Sequence, residues 1–160
     1  MLFLFNHLHA SEEIFKKEAK FGNWSVFIKK KRDLCYMMSA PKKSVGDYKK
    51  RGRVNLVIAE KKGSQNKSFI GIDFGYKLLK NQKARLEIDG KKIIELDTFD
   101  QTAWMQSEKN MKKRKKLINE MKMGYELKVV ARSQRGTTTK DYYTLLGFTN
   151  AYNKIKKMCK

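Results

Sequence analysis

Apolar residues in this chain recur mostly at every second position, in short stretches separated by charged or glycine-bearing turns. That period belongs to strands with one buried face. The stretch "WSVFI" (24–28) sets Trp24 and Val26 or Phe27 among small and polar neighbours, and "LCYMMSA" (34–40) is a continuous apolar run. The charged "KKKRD" (29–33) between them predicts a turn and hence a hairpin. After a long polar loop, "PKKSVGDYKKRG" (41–52), the stretch "RVNLVIAE" (53–60) aligns Val54, Leu56 and Ile58 on one face. A turn over 61–67 leads to "SFIGIDFGY" (68–76), which sets Phe69 and Gly71 against Ile70, Ile72 and Phe74. The clearest hairpin follows: "ARLEI" (84–88), then Asp89-Gly90, then "KKIIEL" (91–96). Asp-Gly supplies the positive φ angles that a two-residue type I′ turn requires.

A short strand over 100–106 precedes a change of period. In "SEKNMKKRKKLINEMKMG" (107–124) Met111, Leu117, Ile118 and Met121 recur at helical spacing, with Ser107 placed to cap the start and Gly124 to end the helix. Strand patterning returns in "YELKVVA" (125–131), which aligns Tyr125, Leu127, Val129 and Ala131, and in "TTTKDYYTLL" (137–146). The turn between them holds Arg132, Arg135 and Gly136. The last segment, "FTNAYNKIKKMC" (148–159), puts Phe148, Tyr152, Ile155 and Cys159 on one helical face. The pattern predicts an all-β fold, an antiparallel β-sandwich of jelly-roll type with one inserted helix and a C-terminal helix. Its single domain spans 21–160, behind a polar lead-in over 11–20 whose pattern is compatible with a helix.

Composition narrows the setting. The 160 residues contain 41% hydrophobic and 11% aromatic side chains, enough for a packed core. Lys+Arg total 37 against 16 Asp+Glu, a net charge of +21. Such a charge favours acidic polymers, anionic surfaces or nucleic acid, although lysine as a default surface residue gives the same total. No run of about 18 apolar residues is present, so the chain does not read as an integral membrane protein. Residues 1–10, "MLFLFNHLHA", resemble the apolar core and cleavage region of a short export signal. On that reading the protein is periplasmic or secreted; if Met1 is retained it is cytoplasmic. The two cysteines follow the same fork. Cys35 and Cys159 pair as one disulfide in an exported protein and remain two thiols in a cytosolic one.

Candidate chemistry is sparse. His7 and His9 both lie in the signal-like segment, so the mature chain would have no imidazole for a metal or a nucleophile's base. No phosphate-loop pattern occurs. The turn "RSQRG" could hold an anion in its backbone nest, and "KKRKK" (112–116) is the densest basic run. Arg132, Arg135, Lys112, Lys113, Arg114, Lys115 and Lys116 are therefore the candidate contacts to an acidic partner. Nothing in them has the spacing of a sequence-reading nucleic-acid motif.

The order "GNWSVF…C…SAP" (22–41), "IGIDFGY" (70–76), "ARLEIDGKKIIEL" (84–96), "AWM" (103–105), "INEMKMG" (118–124) and "ARSQRGTTTKDYYTLLGFTNAYNKIKKMC" (131–159) resembles the invasion-associated locus B family of exported alphaproteobacterial proteins. The resemblance covers about residues 21–159. It implies a β-sandwich, a signal peptide, a periplasmic or surface location and no known enzymatic activity; no cofactor is expected. Some members are linked to host-cell invasion, which makes host-cell contact or cell-envelope function the expected setting. The expected partner is a protein or an anionic surface. The alternative is a basic cytosolic protein that binds nucleic acid non-specifically through its lysines.

Overall fold

A computed structural model describes residues 16–160. The signal-like segment 1–10 and both histidines lie outside the described residues. Among these residues eleven strands and two α-helices follow in chain order. The strands are β1 (Lys16–Phe21), β2 (Trp24–Lys29), β3 (Leu34–Ser39), β4 (Lys43–Val45), β5 (Asn55–Lys61), β6 (Ser64–Asp73), β7 (Lys83–Ile88), β8 (Lys91–Phe99) and β9 (Thr102–Gln106). Helix α1 (Ser107–Met123) comes next, then β10 (Glu126–Arg132), β11 (Thr138–Thr144) and helix α2 (Phe148–Met158).

All eleven strands form one antiparallel sheet in the order β1-β2-β3-β5-β6-β9-β8-β7-β10-β11-β4. The two layers of the expected sandwich are thus halves of a single curled sheet. β2 and β11 stand second from opposite ends of that order, yet Trp24 Nε1 donates to the Thr144 carbonyl at 2.9 Å. Burying an indole without a partner for its N–H would forfeit a hydrogen bond, so this contact fixes the closure. The inward positions alternate as predicted: Leu56 and Ile58 on β5, Ile70 and Ile72 on β6, Ala84 and Leu86 on β7, and Leu127 and Val129 on β10 are all buried. Each buried Leu or Ile contributes roughly 1.5–3 kcal/mol. The predicted Asp89-Gly90 turn has φ +49° and +81°.

Both helices pack against the curled sheet. From α1, Leu117, Ile118 and Met121 enter the core; from α2, Phe148, Tyr152 and Ile155 do so. Phe148 meets Trp24 edge-on at 5.1 Å. Cys35, buried on β3, is bonded to Cys159, which follows α2, across 124 residues. At the start of α2, Gly147 has φ +85°, and a Cβ there would lie 2.3 Å from the Phe21 carbonyl oxygen. Only glycine fits where the β1–β2 turn meets the helix.

Several local expectations need correction. Residues 16–20 of the lead-in are strand, not helix, because their amides pair with β2. The polar loop 41–52 contains β4, which pairs with β11. β6 begins at Ser64, inside the stretch assigned to a turn. "LCYMMS" alternates between the two faces instead of being buried throughout. Met111 is exposed, next to a break in α1 at Asn110, whose backbone is non-helical. Tyr125 is also exposed: β10 starts one residue later, and the Tyr125 N–H donates to the Asp89 carboxylate at 3.2 Å.

Candidate functional site

Two inward positions of the sheet hold carboxylates where the alternation calls for apolar side chains. Each binds an arginine, because an isolated buried carboxylate is too costly to keep. Their surroundings differ, and so do their roles.

On β5 the inward series Leu56, Ile58 ends at Glu60, which is 3% exposed. Glu60 accepts a hydrogen bond from Arg114 Nη2 on α1 and one from the Tyr152 hydroxyl on α2 at 3.3 Å. Lys156 Nζ lies 3.8 Å from its second oxygen. Burial raises the Tyr152 phenol above its ordinary range, and the Arg114 charge works against that rise. In the ladder Glu60 is the partner of Cys35. This end is therefore a clamp in which a carboxylate and a disulfide tie both helices to the sheet. Arg114 is consumed by it and is not free to meet an outside partner, contrary to its place among the basic-run candidates. Lys112, Lys113, Lys115 and Lys116 remain exposed on α1.

On β11 the inward series is Thr139, Asp141, Tyr143, all buried. Arg51, from the loop between β4 and β5, meets Asp141 through two parallel bonds, Nη1 to Oδ1 and Nη2 to Oδ2, each 2.7 Å. Its Nε donates to the Phe74 carbonyl at 2.7 Å, and Ser44 Oγ donates to Asp141 Oδ1 at 2.7 Å. The guanidinium lies 4.8 Å from the Tyr76 ring centre and 5.5 Å from that of Tyr48. Burial alone would lower the arginine's proton affinity, but the bonds to Asp141 outweigh it and leave the value raised. Tyr76 is raised by burial, with its hydroxyl bonded to Thr139 Oγ1 at 2.6 Å acting in the opposite sense.

A groove of about 830 Å³ opens above this pair. One wall is the loop carrying Tyr48, Lys49 and Lys50; the other is the β10–β11 turn with Gln134 and Arg135; Tyr76 and Lys77 lie between. The walls are tied together. Gln134 N donates to the Lys77 carbonyl at 2.7 Å, Gly52 N to the Gly75 carbonyl at 2.9 Å, and Thr137 Oγ1 to the Asp47 carbonyl at 3.3 Å. The turn is closed by Ser133 N to the Thr137 carbonyl at 2.8 Å and by Arg132 Nε to the Gly136 carbonyl at 3.1 Å.

Of the residues singled out in sequence, Arg135 alone lines the groove. Arg132 spends its Nε on the turn, and the four exposed lysines of α1 do not line it. Lys49, Lys50, Lys77, Tyr48 and Tyr76 were not singled out. The available signal was Asp141 at an inward position of an alternating strand, which demands a cation from elsewhere in the chain. Among the described residues no three His, Cys, Asp or Glu side chains gather as a metal site, and no helix is long and apolar enough to cross a membrane.

A family model described as "Invasion associated locus B (IalB) protein" matches residues 24–156. The fold is similar to the crystal structure of invasion associated protein B from Bartonella henselae, with a TM-score of 0.63 and 17% sequence identity over 91% of this chain and 97% of that one. At this identity the likeness is one of fold. A search of curated proteins gave no match.

Proposed function

Because the chain belongs to the invasion associated locus B family, we propose that it is an exported, non-catalytic protein that works in the periplasm or outside the cell by holding an acidic partner. The observation that carries the export reading is the Cys35–Cys159 bond. It clamps α2 beside Glu60, and such bonds persist in oxidising compartments. The binding reading is supported by the groove's wall chemistry: lysines, an arginine, tyrosines and an amide, with Asp47 its one carboxylate. These groups, with the hydroxyls of Ser133, Thr137 and Thr139 beside them, attract and orient an anion. A role in host-cell contact, in line with the words "invasion associated" in the name of the Bartonella protein, and cell-envelope function are both served by such a module.

Non-reducing mass spectrometry of the protein recovered from its native host tests the export reading. A new N-terminus after residue 1 together with an intact disulfide is the expected result. An intact Met1 with two free thiols would overturn it and favour the cytosolic, nucleic-acid-binding alternative.

A further inference from the structure

The groove has a strong imbalance of hydrogen-bonding groups. Lys49, Lys50, Lys77 and Arg135 bring charged donors to its walls, and Gln134 adds a side-chain amide. Among the described residues none of the four cations has a carboxylate within salt-bridge distance. A ligand that satisfies them must be rich in acceptors and carry several negative charges. The walls are preformed, since Arg51, held by Asp141, stacks on the lining residues Tyr48 and Tyr76, and the backbone bonds from Gln134 and Gly52 join the sides. Preorganisation of this kind lowers the entropy lost on binding.

The groove's size and its aromatic wall narrow the ligand further. A volume of about 830 Å³ lies within the range of small-molecule sites, roughly 300–1,000 Å³. Tyr48 is 37% exposed, and its ring is held by Arg51, so a fixed apolar surface stands beside the cations. A ring with C–H faces and equatorial acidic groups meets both. The lysines of α1 match the groove in charge and stand exposed on the helix surface.

We propose that this groove binds an acidic oligosaccharide, with its anionic groups on Lys49, Lys77 and Arg135 and a sugar ring against Tyr48. The assignment rests on the reading above that the protein holds an acidic partner. The test uses the full, disulfide-bonded chain at about 0.15 M salt, where long-range attraction is largely screened. Probes are a heparin-derived tetrasaccharide, tetragalacturonate, neutral maltotetraose and hexaglutamate, each followed by titration calorimetry. Two variants remove the same charge: Lys49→Ser/Lys77→Ser/Arg135→Ser from the groove and Lys112→Ser/Lys113→Ser/Lys115→Ser from α1. The groove variant should weaken at least one acidic tetrasaccharide about tenfold or more, the α1 variant less than about twofold. Maltotetraose should not bind, and Tyr48→Leu should weaken the tetrasaccharide without changing the protein's charge. Equal losses in the two triple variants would overturn both the ligand and the groove, since net charge alone would then explain binding. If hexaglutamate binds as tightly as the sugars and with the same groove dependence, the oligosaccharide falls while the acidic-partner reading stands.

Discussion

Replacing Asp141 with asparagine removes one charge and almost no volume, which isolates the electrostatics of the buried pair behind the groove. In the native protein the Arg51 and Asp141 side chains are 5% and 0% exposed, and two bonds of 2.7 Å join them. With charge centres about 4 Å apart and an effective dielectric constant of about 20, their attraction is roughly 4 kcal/mol. The variant leaves Arg51 buried opposite a neutral amide, and Ser44 loses a charged acceptor. Removing one partner of a buried pair typically costs about 3–5 kcal/mol, which agrees. A domain of this size has about 5–15 kcal/mol in total, so the loss should be plain in a urea titration. Replacing both partners, Arg51→Met with Asp141→Leu, should recover most of it, because no unpaired charge then remains. Amide exchange of Gly52, which bonds to Gly75, should rise in Asp141→Asn as the loop loosens. A loss below about 1 kcal/mol in Asp141→Asn, or a double variant as unstable as the single one, would refute the account of an obligate buried pair.

Three further outcomes are expected. Reducing the Cys35–Cys159 bond opens a loop spanning 124 residues and should lower stability by roughly 4–5 kcal/mol in matched urea titrations; a change under about 1 kcal/mol would contradict the clamp. Glu87 is held below the ordinary carboxylate range by its bond to Lys128, against the effect of burial and with help from Arg85. Its contribution is therefore complete above the ordinary carboxylate range and disappears as pH falls through its depressed value, so the stability gap to Glu87→Gln should narrow as pH falls below the ordinary carboxylate range; a pH-independent gap would refute this. Gly147→Ala combines φ +85° with a 2.3 Å approach to the Phe21 oxygen and should cost about 2–4 kcal/mol in thermal unfolding. Gly136→Ala, at φ +89° with no neighbour closer than 3.8 Å, should cost only about 1–2 kcal/mol, and equal losses would show that the crowding at Gly147 is immaterial.

Sequence was informative wherever a side chain's burial forced the pattern. The inward faces of β2, β5 and β6, the Asp89-Gly90 hairpin and the inward face of α2 alternate or recur because the core admits mainly apolar groups there. β1 and β4 escaped notice for the complementary reason. "KKEAKF" and "KSV" are mostly exposed and are strands through their backbone pairing with β2 and β11. The groove was hard to foresee because its parts are distant in sequence: Arg51 and Asp141 are 90 residues apart. Arg114 was more legible than its basic neighbours suggest. It stands three, four and seven residues before Leu117, Ile118 and Met121, on the buried stripe of α1, where an arginine needs a carboxylate.

The sheet's open curl has a further consequence. Among the described residues its ladder ends on β1 at one side and β4 at the other, and each end leaves backbone groups able to recruit another chain. Lys16, Lys17 and Lys20 stud the first margin, and Lys43 with the adjacent Lys42 the second. A strand approaching either margin must desolvate ammonium groups to dock. Some of the lysine excess thus serves colloidal hygiene, keeping crowded copies from zipping into fibres.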